Sequence, residues 1–186
     1  DKPFYETSGG GLTLSGGEPL AQGDFSLTLL AMAKAEGLHT AVETSAYADW
    51  EHLARWRPVT DLFIVDLKHA DDARHRELTG VSNALVLANI RRMTQAAWPL
   101  IIRVPWVPRC NATEEFLDGL IAFLTDLPRR PPVELMLYHR LGADKRAALG
   151  LAPGLSGEIP PAGRADALSW LRRLEGAGIA ASASQG

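Results

Sequence analysis

Two hydrophobic periods take turns along this chain. Short apolar runs bounded by Gly, Pro, Asp or Ser read as strands, and longer stretches with apolar residues three and four apart read as helices. Leu12-Thr13-Leu14 opens the series and runs into Ser15-Gly16-Gly17-Glu18-Pro19. The spacing then predicts a helix over 20–36, with Leu27, Leu30, Met32 and Ala35 on its apolar side and Gly37 as its stop. A second strand is expected over 40–44, followed by a helix carrying Trp50, Leu53 and Trp56 that Pro58 ends. Leu62-Phe63-Ile64-Val65-Asp66 is almost wholly apolar, as in a parallel strand buried on both faces. A polar segment over 68–80 leads to a helix over 83–97. Ile101-Ile102-Arg103-Val104 is the fourth strand, and Pro105 and Pro108 hold the loop after it. Asn111 or Thr113 caps the next helix, with Glu114 and Glu115 in its first turn. The fifth strand covers 133–138. Residues 1–10 and the Gly- and Pro-rich 150–163 read as loops, 165–175 as a last helix, and 176–186 as a short terminal strand or a disordered tail.

Strand-then-helix recurs five times. That repetition argues for a parallel sheet with right-handed crossovers. Five units are too few for a closed eight-fold barrel. The expected fold is α/β, a partial (open) TIM-like β/α barrel in a single domain over 1–186, with an open doubly wound sheet as the alternative.

Composition narrows the class. Of the 186 residues 46% are hydrophobic and 22% charged, ordinary values for a globular domain. The net charge of -3 implies no general attraction to nucleic acid or anionic membrane. No apolar run reaches the roughly 18 residues of a membrane span. The start, Asp1-Lys2-Pro3, carries neither an initiator Met nor a signal-peptide pattern, so the chain is expected to begin inside a longer protein. Cys110 is the one cysteine, which excludes an intrachain disulfide and gives no pointer to secretion. A cytoplasmic location is expected. A lone thiol also cannot build a zinc or iron–sulfur site by itself, and a structural or incidental role is expected for it.

Candidate chemistry gathers at the strand ends. In Gly16-Gly17-Glu18-Pro19 the glycines let a ligand approach the backbone, although a tight turn with a capping Glu is the plain alternative. Asp66 and Lys68, two apart, share one face of an extended strand. Charges so placed need a partner, either each other or a cofactor ammonium, carboxylate or metal ion. Glu43-Thr44-Ser45 offers a carboxylate and two hydroxyls, for a polar pocket, a hard cation or a helix cap. Arg103 is a single charge in an apolar strand, ready to grip a carboxylate or to form a structural ion pair. His139 follows the fifth strand, where it binds a ligand, moves a proton or serves structure. Five consecutive strands place polar or Gly residues at the same end, where α/β barrels build their sites.

With those residues in view, the chain resembles the glycyl-radical-enzyme activases of the radical S-adenosylmethionine (SAM) superfamily, the pyruvate formate-lyase activating enzyme type. The motifs, in the family's order, are residues 10–19, His39-Thr40-Ala41-Val42-Glu43-Thr44-Ser45, 61–68, 75–80, Ile102-Arg103-Val104-Pro105, Tyr138-His139-Arg140-Leu141-Gly142 and 145–150. The resemblance implies that Gly16, Gly17 and Glu18 hold the amino group of SAM. It places Lys68 and His139 near the carboxylate and ribose, and turns Arg103 toward the cofactor or the substrate's glycine loop. It assigns Glu43, Thr44 and Asp66 to a monovalent cation. It also implies a 4Fe-4S cluster that reductively cleaves SAM, a glycyl radical enzyme as protein substrate, and flavodoxin or ferredoxin as electron donor. Family members carry C-x3-C-x2-C upstream of the matched region, and this chain has none of those cysteines. The expectation is therefore a truncated form that lacks the first βα unit and the cluster ligands. Two rivals stand beside it. One is a non-catalytic remnant that binds SAM or a partner. The other is a barrel enzyme resembling orotidine-monophosphate decarboxylase, built on Asp66-x-Lys68-x-x-Asp71.

Overall fold

A computed structural model describes residues 5, 7–139 and 159–185. Six strands follow one another in space as they do in sequence: β1 (Gly11–Leu14), β2 (His39–Thr44), β3 (Leu62–Asp66), β4 (Leu100–Trp106), β5 (Val133–Leu137) and β6 (Ala181–Gln185). All neighbours are parallel, and β1 and β6 are the two edges, so the sheet is open. This is the expected α/β architecture. The terminal segment forms a true strand, β6, on the edge of β5. Helices α1 (Gly23–Ala35), α2 (Trp50–Ala54), α3 (Asp72–Thr79), α4 (Ala84–Gln95), α5 (Glu114–Thr125) and α6 (Leu168–Gly176) fill the crossovers.

The two faces of the sheet differ in kind. Parallel neighbours in register point to the same side. One side carries Val42, Phe63, Val65, Ile102, Val104 and Leu135, all buried in one cluster with helix residues such as Leu30, Ile90, Phe116 and Leu174. That helix-covered side is the core. The opposite, inner side carries Thr13, Glu43, Asp66, Arg103, Glu134 and Ser182, none of them fully buried. Asp66, Arg103, Glu134 and Ser182 lie in register across four strands. Hydrophobic burial on one side therefore leaves a polar row on the other, and that row leads to the site.

Several local expectations are corrected. The first helix does not run unbroken over 20–36. A 3-10 turn, Pro19–Gln22, comes first, and Gly23 with φ of 49° breaks it from α1. The buried side of α1 is Ser26, Leu30 and Ala33, whereas Met32 is 63% and Phe25 72% exposed. Phe25 lines a cavity with Leu14 at the end of edge strand β1, which has no strand neighbour on its outer side among the described residues. The polar segment 68–80 holds helix α3. It buries one residue, His75, so it shows no apolar stripe. Strand β4 continues through Pro105 to Trp106. A proline is accommodated there because pairing with β3 ends at Asp66↔Arg103. Thr113, not Asn111, caps α5, its hydroxyl accepting from Phe116 N at 3.2 Å. Residues 7 and 8 are helical rather than plain loop. The motif stretches 140–142 and 145–150, and most of the 150–163 loop, lie outside the described residues. No helix among the described residues is long and apolar enough to cross a membrane.

The end of the sheet away from the polar row is locked by Asp61. Its carboxylate pairs with Lys34 and accepts from Thr40 N at 3.0 Å. Partial burial pushes the Asp61 carboxyl up, but the Lys34 and Thr40 hydrogen bonds outweigh it and bring the pKa to about 2. A depressed carboxyl contributes stability that is present above its ordinary value of 3.8 and is lost as pH falls toward about 2. After discounting for solvent screening the contribution is roughly 1 kcal/mol. Urea unfolding should therefore show Asp61→Asn less stable than wild type at pH 5, with the gap narrowing below pH 3.8 and closing only as pH falls through about 2. A gap independent of pH would remove this assignment.

Candidate functional site

The turn after β1 is gripped from both faces of the sheet by the end of β2. Ser15 Oγ donates to Glu43 Oε2 at 2.5 Å on the inner side. On the other side the Glu18 carboxylate is surrounded by donors: Thr44 Oγ1 at 2.6 Å, Ser45 Oγ at 2.6 Å, Ser45 N at 2.9 Å and Leu20 N at 3.2 Å. Adjacent residues on a strand point to opposite faces, so Glu43 and Thr44 reach the two ends of the same turn. Between those grips lie Gly16 and Gly17. Gly16 has φ of 92°, a left-handed conformation that favours glycine. Both glycines are exposed, and a methyl added to either would meet no atom within 4 Å. The result is a rigidly held stretch of bare backbone facing open space. A cavity of about 260 Å³ adjoins it, lined by Leu14, Ser15, Gly17, Glu18 and Phe25 among others.

Arg103 lies on the inner face, and both sides of its guanidinium are engaged. Nη1 contacts Glu43 Oε1 at 2.7 Å, and Nε donates to Glu134 Oε2 at 2.8 Å. Burial alone would lower the Arg103 pKa, but the hydrogen bonds to Glu43 and Glu134 outweigh it and raise it. Burial likewise pulls the Glu43 carboxyl up, and the Ser15 and Arg103 hydrogen bonds outweigh that and hold it below the usual range. Glu43 is thus an anion, and it shares the single positive charge of Arg103 with Glu134.

Asp66 and Lys68 pair with each other, Nζ to Oδ2 at 2.5 Å. The lysine also lines a cavity of about 300 Å³ with Pro105, Val107, Cys110 and Tyr138. His139 follows β5 at the same end of the sheet and is half-buried. The structure therefore brings Gly16, Gly17, Glu18, Glu43, Lys68, Asp66, Arg103 and His139 to one end of the parallel strands. It separates Thr44 from Glu43 and Asp66, because the Thr44 hydroxyl turns to Glu18 across the sheet. Asp71 does not join Asp66 and Lys68. Its carboxylate caps α3, accepting from Arg74 N at 2.9 Å. Without Asp71 the decarboxylase-like array is incomplete. Cys110 is half-buried in the cavity wall with its thiol free, and no group of three or more His, Cys, Asp or Glu among the described residues is arranged to hold a metal ion.

Sequence reasoning missed Glu134 and the loop-pinning roles of three buried asparagines. Asn89 Nδ2 donates to the carbonyls of Ala46 (2.9 Å) and Ala48 (2.8 Å), pinning the loop after β2, where Ala46 has φ of 52°. Asn83 Nδ2 donates to His69 O and Ala70 O, pinning the loop after β3. Asn111 Nδ2 donates to Lys68 O and Pro105 O, and its Oδ1 accepts from Val107 N, tying the loops after β3 and β4 together. A signal for Asn89 was present: it is a lone amide among Val86, Ile90 and Met93 on an apolar helix face. Glu134 had the same signal as Arg103, a single charge in an apolar strand. Asn111 was marked only as a possible helix cap, and nothing in the local sequence shows that it ties the two loops together.

Three comparisons bear on this geometry. Residues 5–114 match the family model described as the radical SAM superfamily. The chain is 43% identical over 153 residues to the choline trimethylamine-lyase activating enzyme of Oleidesulfovibrio alaskensis, covering 81% of this chain and 49% of that protein. It is 37% identical over 166 residues to the pyruvate formate-lyase-activating enzyme of Staphylococcus epidermidis, covering 86% of this chain and 66% of that protein. Among solved structures, a domain of pyruvate-formate lyase-activating enzyme from Bacteroides vulgatus superposes with a TM-score of 0.78 at 29% identity, covering 94% of this chain and 99% of that one. The chain spans about half the length of several curated relatives that it matches.

Proposed function

Because the chain belongs to the radical SAM superfamily, we propose that it is the SAM-binding body of a glycyl-radical-enzyme activating enzyme. The observation that carries this is the Gly16-Gly17 backbone, exposed to open space and clamped at both ends by β2. A methionyl ammonium needs acceptors without bulk, and main-chain carbonyls beside two glycines provide them. The Glu18 carboxylate is spent on four donors of its own chain, so its part is to hold the turn while the backbone meets the ligand. Lys68, half-exposed and paired with Asp66, is the cation for the ligand's carboxylate, exchanging one carboxylate partner for another. His139, half-buried at the same end of the sheet, is the residue we assign to the ribose. In this family, SAM cleaved at a reduced cluster supplies the group that abstracts hydrogen from a glycine of the partner enzyme. Cluster iron is held by several cysteine thiolates, and Cys110 is the one thiol here, so residues 1–186 do not by themselves fit a 4Fe-4S cluster. Activase chemistry then requires ligands contributed from outside these residues, with a glycyl radical enzyme as protein substrate and flavodoxin or ferredoxin as electron donor.

Calorimetry tests the reading. Wild-type chain should bind SAM and give no heat with a nucleoside monophosphate. Lys68→Ala should weaken SAM binding about tenfold or more, the loss of one charge-assisted contact. Heat with the nucleoside monophosphate and none with SAM would overturn the proposal. Undiminished binding by Lys68→Ala would remove the role given to that residue alone.

A further inference from the structure

The contacts of Arg103 form part of a longer chain of side chains. Ser15 donates to Glu43 at 2.5 Å, Glu43 meets Arg103 at 2.7 Å, and Arg103 donates to Glu134 at 2.8 Å. The ladder starts on the residue before Gly16, crosses the inner face over β3, and ends on β5. We propose that Glu134 is a positioning residue for the Gly16-Gly17 turn, acting through Arg103 and Glu43 on Ser15. This rests on the SAM-binding reading above.

A guanidinium on a long stem rotates unless two of its edges are held. Here Glu43 holds one edge and Glu134 another. Glu134 is itself fixed by the sheet, because it lies in direct register with Arg103. With its second partner in place, Arg103 presents Nη1 to Glu43 at one angle. Glu43 then has its other oxygen directed at Ser15. The three ionic side chains are shielded, with 16%, 27% and 23% of their side-chain surface exposed for Arg103, Glu43 and Glu134. Shielding makes these contacts directional and less sensitive to salt than surface pairs. The glycines cannot position themselves, since Gly16 and Gly17 make no side-chain contact and have wide conformational freedom. Their neighbours must do it. Glu18 fixes the helix side of the turn, and the ladder fixes the strand side.

The test uses three variants of the full chain: Glu134→Ala, Glu134→Gln and, as a control at the opposite end of the sheet, Asp61→Asn. In the free protein, amide hydrogen exchange at Leu20 and Ser45, whose N–H groups the turn's Glu18 carboxylate holds, should quicken in Glu134→Ala while exchange in β5 holds. In calorimetry, Glu134→Ala should weaken SAM binding about three- to tenfold, and Glu134→Gln, which keeps a neutral acceptor, by less. Asp61→Asn should lower the urea midpoint and leave SAM affinity unchanged. Unchanged exchange at Leu20 and Ser45 in Glu134→Ala overturns the ladder whether or not SAM binds. An affinity loss that merely tracks the urea midpoint across all three variants also overturns it, because that is what a structural ion pair would do. Wild-type chain that takes no SAM, with quickened exchange in Glu134→Ala, overturns the functional reading and leaves the ladder standing.

Discussion

Glu18→Ala is expected to show no SAM binding at concentrations that saturate the wild-type chain, with unfolding free energy lowered by roughly 2–4 kcal/mol. Four donors converge on this carboxylate, two of them main-chain N–H groups and two of them hydroxyls. Alanine leaves all four without their acceptor in a half-buried place. The hydroxyls of Thr44 and Ser45 can turn elsewhere, but Ser45 N cannot, and the loop after β2 loses its tie to the turn after β1. Glu18→Gln should fall between, because one oxygen still accepts while the amide group meets donors head-on. Urea unfolding and SAM calorimetry read the two effects separately. If Glu18→Ala keeps its affinity within twofold, the clamped turn is not what holds the ligand.

Gly11→Ala should cost roughly 3 kcal/mol or more, although it adds one methyl group at a strand edge. Gly11 pairs with His39 in the β1–β2 register, and a Cβ there would fall on the His39 main-chain carbonyl oxygen. Backbone cannot step aside as a flexible side chain can. Either β1 moves off β2 or the ladder between them breaks, and the Gly16-Gly17 turn moves with it. Amide exchange should show β1 opening well before β3 and β4. The same methyl at Gly16 or Gly17 would meet open space, so the three glycines serve different ends. A Gly11→Ala variant within 1 kcal/mol of wild type would mean that the close approach of the two strands is relieved at little cost.

Much of this was legible in the sequence where the governing interactions are local. The apolar run of β3, the Gly-Gly turn and the first-turn carboxylates of α5 are set by neighbours within a few residues. They were expected from residue pattern alone and are found. Helix α3 was not legible, because a helix that buries His75 alone carries no 3.6-residue stripe. Met32 was misplaced for a different reason. It follows Leu30 by two residues, about 200° round a helix, so the face that buries Ser26, Leu30 and Ala33 leaves Met32 exposed.

For the candidate site the division is sharper. The sequence placed Gly16, Gly17, Glu18, Lys68, Arg103 and His139 at strand ends, and that follows from alternating elements of known period. It left open what each side chain touches. Whether Arg103 faces a ligand or a carboxylate depends on which strands lie beside β4 and in what register. That information is shared between residues 43, 103 and 134, far apart in the chain. Glu18 could be read as a cap or as a ligand group, and the approach of β2 decided that its oxygens go to Thr44 and Ser45. Local periodicity determined the order of elements and the end at which polar residues gather. Parallel pairing in one register decided the partners, because a hydrogen bond needs atoms within about 3 Å, and only the folded sheet brings residues so distant in sequence that close.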